Sequence, residues 1–458
     1  MVCRRMATEL VASQYGLCTI NNKEIMKPPT LIILTCLCLL HMGQNSTAQE
    51  LRRIKVFNES DLRTIAHSST QEGQSYGDAL ITLETDITIS GEPWYPIGLP
   101  PVDGMNSYPF QGEFDGQGHT ITFETSLEAV KWENDRYSGL FGFIGKYGLV
   151  KNLSIIMHSV EVSVADGTNN GYFGVVSGFN AGEITDCSVS GDIRLSSPIV
   201  YNFFRFGCIA GLLQDGMVFN NNNHATVSTM NISCVGGIVG ETYGGILNHN
   251  MNFGSISTSG FAEIGGDLKC VGGIVGSCEG HNEDDYSYVI NCLNSGKVQV
   301  DENALSAGGI VGTCSSGILF YSGNSGNVVS DAAYSGGIIG HMINSAVYGS
   351  FHHGKIRSRK RITSSNSIVG FKNWGDDEIV KDCYIVNDRE SLNTQTTVNT
   401  KVISQESFVR KVNAVFPKSH KGLMQIVEDA GWWKGAETLF AAKTWVIEQE
   451  YPYPCFSK

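Results

Sequence analysis

One short sequence motif, two or three residues enclosed by glycines, recurs eight times between residues 137 and 370. The copies are GLFG (139–142), GYFG (171–174), GCIAG (207–211), GGIVG (236–240, 272–276 and 308–312), GGIIG (336–340) and a degenerate SIVG (367–370). Their last glycines are separated by 28 to 37 residues. Self-similarity at a period of roughly 20–50 residues is typical of solenoids and other repeat arrays. The repeat therefore predicts a stack of similar units.

A second phrase, Gly-x-(Ile/Val), follows the first in each repeat. Its glycine position lies 14 residues after the motif glycine in four repeats (Ala225, Gly254, Gly326, Gly354), 17 residues after it for Gly191 and 20 for Gly296. The constant spacing indicates one structural module. We interpret the longer spacings as loop insertions, and we expect segments 281–288 and 192–206 to be the exposed loops that provide specificity.

The runs within each module are short and rich in β-branched residues, and Gly, Asn or Ser bounds them, which is typical of strands and turns. Three short strands per repeat, stacked in parallel, predict an all-β fold: a parallel β-helix of about eight coils with a small helix-containing cap at each end. Right-handed coils follow from the usual chirality of parallel crossovers. A propeller is excluded because its blades need antiparallel hairpins, and hairpin turn pairs do not recur here.

Glycine fits such coils because tight corners need positive φ angles or a close backbone approach. Asparagines stand two residues before the module position in four repeats: Asn223, Asn252, Asn294 and Asn324. Stacked in register, their amides are expected to form a hydrogen-bonded ladder. His352 takes this place in the next repeat. A metal site at His352 and His353 is the alternative, and the ladder is the interpretation we favour.

The only long apolar run, LIILTCLCLL (31–40), is too short to span a bilayer and fits a signal-peptide core. Small residues precede Gln49, so cleavage is predicted between Ala48 and Gln49, with translation starting at Met26. The predicted organisation is an over-extended start plus signal peptide (1–48), an entry coil and N-terminal cap (49–135), the repeats (136–385) and a C-terminal cap (386–458).

Charge and cysteine content narrow the function classes. The net charge of −13 argues against nucleic acid or an anionic membrane as partner. Nine cysteines follow residue 48, an odd number at repeat-equivalent positions, and no C-x-x-C pair occurs. We expect these cysteines, including Cys234 and Cys270, to be small apolar residues stacked inside the coils, with oxidation of Cys278 and Cys314 as an alternative. No metal or cofactor is expected.

The two ends of the chain depart from the repeat. A short capped helix is predicted at 58–67, a strand at 79–90, and two strands around a Gly-rich turn at 110–123. At the other end, 404–415 has the pattern of an amphipathic helix. Three tryptophans of the tail are expected to pack in a cap, with stacking on sugar rings as the alternative: Trp432, Trp433 and Trp445.

With its GLFG and GGIVG motifs and Asn-x-Gly-x-Val modules, the chain resembles the GLUG-motif family of bacterial extracellular proteins. The resemblance covers roughly 94–385. WYPIG (94–98) with FQGEFDGQGHTI (110–121) is similar to the entry coil of that family, and YPYP (451–454) to its usual ending. The resemblance implies an exported β-helix, often from gut-dwelling Bacteroidetes, with adhesin-like surface roles. Some members carry a separate peptidase domain, but this sequence has no HExxH.

These features predict a non-enzymatic, adhesin-like protein that is secreted or held at the cell surface, with the periplasm left open. No integral membrane segment is expected after residue 48. The predicted partner is a glycan or another host or extracellular polymer, and oligomeric state is left open. Candidates for ligand contact are the aromatic cluster and its arginine, for which packing over a coil is the alternative interpretation: Tyr201, Phe203, Phe204 and Arg205.

Two further hypotheses remain. Parallel β-helices also host polysaccharide lyases and glycosidases, which need paired carboxylates or a base with charge neutralisation. Within the repeats, acidic clusters occur at Glu283-Asp284-Asp285 and Asp376-Asp377-Glu378, and both are interpreted as solvated turns. This hypothesis rests on analogy of fold. A structural spacer in a surface assembly is the other alternative, and the sequence does not separate it from an adhesin.

Overall fold

A computed structural model describes residues 51–100, 108–132, 135–163, 170–198, 202–260, 263–264, 267–281, 286–357, 365–366, 368–373, 379–381, 383–386, 400–403, 445–448 and 451–456. Two compact units are distinguished, Met1–Arg53 and Ile54–Lys458, and only the last three residues of the first are described. The second unit contains a parallel β-solenoid whose strands form four long sheets, numbered here in the order in which a coil visits them. A further, two-stranded antiparallel sheet pairs Trp445–Glu448 with Tyr451–Phe456.

Sheets 1 and 2 flank the glycine motif. Sheet 1 leads into the motif and has ten strands: Val130–Trp132, Asp135–Ser138, Asn170–Gly174, Phe203–Gly207, Cys234–Gly236, Glu263–Ile264, Asp267–Gly272, Ala304–Gly308, Tyr334–Gly336 and Ser365–Asn366. Sheet 2 leaves the motif and has eight: Phe141–Ile144, Ser177–Asn180, Ala210–Gln214, Val239–Tyr243, Val275–Glu279, Val311–Ser315, Ile339–Ile343 and Val369–Lys372.

Sheets 3 and 4 complete each coil. Sheet 3 has eleven strands: Arg52–Val56, Ala79–Leu83, Glu113–Asp115, Leu149–Lys151, Glu183–Thr185, Met217–Phe219, Ile246–Asn248, Ser287–Ile290, Gly317–Phe320, Ala346–Tyr348 and Ile379–Lys381. Sheet 4 has sixteen: Ile87–Ile89, Thr120–Phe123, Ser154–Ser163, Ser188–Ser196, Asn222–Asn223, Thr226–Met230, Met251–Asn252, Ile256–Ser259, Leu293–Asn294, Val298–Val300, Gly323–Asn324, Val328–Ser330, Phe351–His352, Ile356–Arg357, Cys383–Val386 and Thr400–Ile403.

The core is a set of apolar columns along the inside of the coils. In sheet 1, Val235, Val271 and Ala307 pair in register and are fully buried. Sheet 3 contributes a second column: Val218, Leu247, Val289, Leu319 and Val347. Because successive residues of a strand point to opposite sides, every second residue faces outward. The predicted parallel β-solenoid is confirmed, and the handedness of its coils stays a prediction.

The prediction of three strands per coil is wrong, because the coils run through four sheets. The motif GGIVG forms a sharp corner between the ends of two strands. A Cβ atom on Gly272 would lie 1.9 Å from the carbonyl oxygen of Val275, and one on Gly308 would lie 1.8 Å from that of Val311. The first glycine of the motif is therefore required because the backbone approaches it closely. Close approach was one of the two reasons predicted for glycine, and positive φ was the other.

Positive φ angles occur mainly at other residues. The turn between sheets 3 and 4 places one residue per coil near φ +50°, and polar side chains dominate this column: Asn152, Asp186, Asn220, His249, Asn291, Tyr321 and Gly349. Asn and Asp tolerate this region because their short side chains hydrogen-bond to the local backbone. These residues, together with the motif glycines, turn the chain at two corners of each coil.

The asparagine ladder is confirmed. The Nδ2 atom of Asn223 donates to Oδ1 of Asn252 at 2.7 Å, and Asn252 donates in the same way to Asn294 at 2.8 Å. Asn294 then donates to Asn324 at 2.9 Å, and Asn324 lies 3.2 Å from Nδ1 of His352. Each asparagine also binds the backbone of the module position two residues on. The ladder therefore satisfies these buried amides coil by coil.

The helix and strands predicted for the N-terminal region are largely confirmed. The described residues contain one α-helix, Glu59–Gln71, and its N-cap Asn58 accepts from the backbone N–H of Asp61 at 3.1 Å. The predicted strand at 79–90 is two strands separated by a turn, and two strands bracket the Gly-rich turn after Asp115. Predicted features outside the described residues are the signal peptide with Ala48 and Gln49, the helix at 404–415, and Trp432 and Trp433.

Candidate functional site: the corner cleft

The outer faces of sheets 1 and 2 meet across the glycine corner. In six coils, an outward residue of sheet 1 faces the outward residue seven positions later in sheet 2. Tyr172 and Phe179 have ring centroids 5.4 Å apart, and the hydroxyl oxygens of Ser306 and Thr313 are 2.8 Å apart. Contact between two outer faces requires the surface to fold inward at the corner. These paired outward residues form a continuous line along the outside of the solenoid, and we name it the corner cleft.

Two columns in register form the floor of the corner cleft. The sheet 1 column is Tyr137, Tyr172, Arg205, Cys234, Cys270, Ser306 and Tyr334. The sheet 2 column is Phe143, Phe179, Leu212, Glu241, Ser277, Thr313, His341 and Phe371. The chemistry of the floor changes along the solenoid while the backbone of the corner repeats.

The N-terminal end of the cleft is aromatic. Phe143 and Phe179 stack from one coil to the next with centroids 4.2 Å apart and an interplanar angle of 10°. Tyr137 and Tyr172 pack beside them at 5.1 Å. These side chains form an apolar cluster separate from the interior core, and the two phenylalanines are half-buried. Apolar surface is thus available on the outside of the coil.

The middle of the cleft contains a buried ion pair. The Nε atom of Arg205 donates to Oε2 of Glu241, and the two side chains are only 9% and 6% exposed. The Arg205 guanidinium lies 3.7 Å from the ring centroid of Phe203 and 4.9 Å from that of Tyr172. Its Nη1 donates to Asn170 Oδ1 and, at 2.8 Å, to the carbonyl oxygen of Phe203. Aromatic contacts, hydrogen bonds and the ion pair together fix the guanidinium.

Two thiols follow in the next coils. The Sγ atoms of Cys234 and Cys270 are 3.6 Å apart, and both residues lie on the outer face of sheet 1. The hydrogen bond to Cys270 and burial raise the pKa of the Cys234 thiol, so it stays protonated at neutral pH. The prediction that these two cysteines stack inside the coil is wrong, because alternation along the strand places Val235 and Val271 inside. Cys278 and Cys314 are neighbours in register on adjacent strands, and their side chains do lie inside the core.

The C-terminal end of the cleft is again aromatic. Tyr334 and Phe371 stack with centroids 4.4 Å apart, and His341 lies 4.9 Å from Tyr334. Burial lowers the pKa of His341, whose Nε2 is 3.2 Å from Oδ1 of Asn373. All three rings are half-buried. The corner cleft therefore has apolar ends and a polar middle.

The structure separates the ligand-contact residues that the sequence predicted. Phe204 is fully buried inside the coil against Phe173, so it does not contact a ligand on the outer surface. Phe203 and Arg205 lie in the corner cleft, and Tyr201 lies outside the described residues. The described parts of 192–206 are mainly strand, so the prediction of a loop there is wrong. The tip of 281–288 and both acidic clusters also lie outside the described residues.

Sequence reasoning missed most of the corner cleft, including Tyr172, Phe179, Glu241 and His341. The available signal was the spacing of seven residues between the outward residues on either side of the glycine corner in six coils. No group of three or more His, Cys, Asp or Glu side chains suited to a metal ion occurs in the described ranges. Nor does any helix in the described part of the chain have the length and apolar character needed to cross a membrane.

The comparisons with known proteins cover either a small part of this chain or its fold alone. No protein-family model matches the chain. A "Putative Gly-rich membrane protein" of Evansella cellulosilytica is 33% identical over 117 residues, which are 26% of this chain and 12% of that protein. The chain thus spans about an eighth of the length of that curated relative.

Two solved structures are similar in fold. A "putative immunoglobulin A1 protease from Bacteroides ovatus" is 16% identical with a TM-score of 0.39, covering 89% of this chain and 92% of that one. An "IgA1 Protease" is 11% identical with a TM-score of 0.44, covering 80% of this chain and 24% of that one. These descriptions contradict the sequence-based prediction of a non-enzymatic protein. The likeness itself carries no catalytic residue to this chain.

Proposed function

We propose that this protein is an exported, GLUG-type β-solenoid, secreted or held at the cell surface, that binds an extended carbohydrate polymer along the corner cleft. The observation that carries the proposal is the continuity of the cleft over eight coils, with aromatic side chains at both ends and polar groups between them. Parallel strands stack roughly 4.8 Å apart, so the cleft is roughly 34 Å long.

A carbohydrate polymer matches this surface chemically. Sugar rings present apolar C–H faces and polar hydroxyl edges, and ligand sites combine apolar and aromatic walls with a few fixed polar groups. A groove that repeats coil by coil lets weak contacts add along a repeating ligand. The half-buried rings of Phe143, Phe179 and Phe371 supply the apolar contacts, and the Arg205–Glu241 pair supplies the polar ones.

The test measures co-sedimentation of the purified protein with insoluble polysaccharides and its retardation in gels containing soluble ones. Release of new reducing ends is measured in the same samples, because catalysis in the cleft would also require binding there. The expected result is retention by at least one polymer. Phe179→Ala and Phe371→Ala should each weaken binding about tenfold, the equivalent of about 1.4 kcal/mol per lost aromatic contact.

Phe57→Ala is the matched control, because Phe57 is an aromatic residue that is 56% exposed and lies outside the cleft. Its affinity should equal that of the unmodified protein. Equal affinity of all three variants would place binding elsewhere and refute the role of the cleft. Absence of binding across host, plant and bacterial polysaccharides would refute the proposed function itself.

A further inference from the structure

The ion pair in the middle of the corner cleft leaves two polar atoms unused. Arg205 uses Nε and Nη1 for its hydrogen bonds, and Glu241 uses Oε2. Among the described residues, the Nη2 group of Arg205 and the Oε1 atom of Glu241 have no hydrogen-bond partner. Neither atom is among those that are fully buried without a hydrogen-bond partner, so both retain some exposure to solvent. One donor and one acceptor on adjacent coils therefore face the cleft.

These two groups are held rigidly. Arg205 and Glu241 are 7% and 4% exposed, so the surrounding side chains leave little freedom to move. The guanidinium lies against two aromatic rings, and strand register places Glu241 one coil beyond Leu212, the residue opposite Arg205. Charged groups already oriented in this way lose little side-chain entropy when a ligand binds. The pair thus has the properties of a preformed recognition element.

The pair carries no net charge, and its surroundings are acidic. The guanidinium that would attract an anion is already neutralised by Glu241. A second carboxylate belongs to Glu279 in the next coil of sheet 2, where Ser277 Oγ donates to its Oε1 at 2.9 Å. An anionic ligand in the middle of the cleft would meet two carboxylates and one guanidinium. Like charges brought together in this way disfavour binding.

We propose that Arg205 and Glu241 form a subsite for an uncharged saccharide. Nη2 donates to one oxygen of the sugar, and Oε1 accepts from a neighbouring hydroxyl. Phe203 and Phe179, half-buried on either side of the cleft, provide the apolar contact. The subsite selects neutral polymers and rejects uronate-rich and sulfated ones. This inference rests on the proposed function, and it adds the class of ligand and the residues that discriminate it.

The test compares polymers that share a backbone and differ in charge. The pairs are hydroxyethyl cellulose with carboxymethyl cellulose, methyl-esterified with de-esterified homogalacturonan, and dextran with dextran sulfate. Affinity is measured by gel retardation at fixed ionic strength. In every pair that the protein recognises, the neutral member should bind at least about tenfold more tightly. Preference for the anionic member would overturn this inference while leaving the proposed function intact. Binding of neither member of any pair, together with no retention by any host, plant or bacterial polysaccharide in the first test, would remove both.

Glu241→Gln provides the sharper measurement. It keeps a hydrogen-bond acceptor and leaves the guanidinium uncompensated, so the preference for the neutral member should fall about tenfold or reverse. Arg205→Gln combined with Glu241→Gln restores neutrality and should restore the neutral preference. Glu124→Gln, at an exposed position outside the cleft, is the control for loss of one carboxylate. Circular dichroism and a thermal transition establish that each variant folds.

Unchanged discrimination in a folded Glu241→Gln variant would refute the role of the pair. Should that variant fail to fold, the comparison of matched polymers with the unmodified protein still decides between neutral and anionic ligands.

Discussion

His352 gives the clearest prediction of how this solenoid responds to acid. It occupies the last described position of the asparagine ladder and is 3% exposed. Asn324 Nδ2 lies 3.2 Å from Nδ1 of His352. An amide nitrogen can only donate, so Nδ1 accepts and the imidazole is neutral. Burial, with a smaller contribution from neighbouring His353, lowers the pKa of His352 from 6.5 to about 4.

The sign of the effect follows from proton uptake in the two states. Above pH 6.5 the imidazole is neutral in both the folded and the unfolded chain, so it contributes no pH dependence. Between pH 6.5 and about 4 the unfolded chain takes up a proton that the folded chain does not bind. The free energy of unfolding therefore falls over this range and levels off below it. The difference between 6.5 and about 4 corresponds to about 3 kcal/mol.

The assay compares urea unfolding of the unmodified protein and of His352→Asn between pH 7 and pH 4. Asparagine is the residue of the preceding ladder positions, so its Oδ1 should accept from Asn324 and keep the ladder closed. The change in unfolding free energy between pH 7 and pH 4 should be about 3 kcal/mol smaller in the variant. Carboxylates titrate in both proteins, and their contribution cancels in this difference.

His67→Asn is the control, because His67 is exposed on the helix Glu59–Gln71. Hydrogen exchange of the amides around residues 351–356 provides a local readout, since coils of a repeat array need not unfold together. An equal pH dependence in the unmodified protein and in His352→Asn, within about 0.5 kcal/mol, would refute the reasoning.

Two further predictions concern glycines and thiols. Gly296→Ala should destabilise the fold by about 3 kcal/mol, because its Cβ would lie 1.9 Å from the carbonyl oxygen of Gly254, whereas Gly77→Ala, whose nearest neighbour would be 3.6 Å away, should change the urea midpoint little. Burial raises the pKa of Cys187 and Cys292 to about 12. At pH 8 the folded protein should therefore react with iodoacetamide at these two thiols about a thousandfold more slowly than the urea-unfolded chain, and peptide mass spectrometry after digestion checks this. Rapid labelling of either thiol in the folded protein would contradict the burial.

The parts of the fold that repeat could be predicted from the sequence. Stacking coils in register places equivalent residues directly above one another, so Asn252 and Asn294 had to meet once the repeat was recognised. The number of sheets could not be predicted in the same way. A run such as GGIVG is as apolar as a strand, and only the approach of Gly272 to the Val275 carbonyl shows that the run is a corner. Apolar periodicity does not reveal such a backbone contact.

The corner cleft illustrates why a repeat motif can conceal a candidate binding site. The glycines and interior valines are fixed by close packing, so they recur and attract attention. The outward positions two residues before the first GGIVG glycine and one residue after the last are free of that constraint, and they vary: Cys234 and Glu241 in one coil, Ser306 and Thr313 in another. The same inward turn of the backbone brings each such pair together. The side chains that differ between repeats therefore lie along the corner cleft, where the repeated geometry of the corner aligns them.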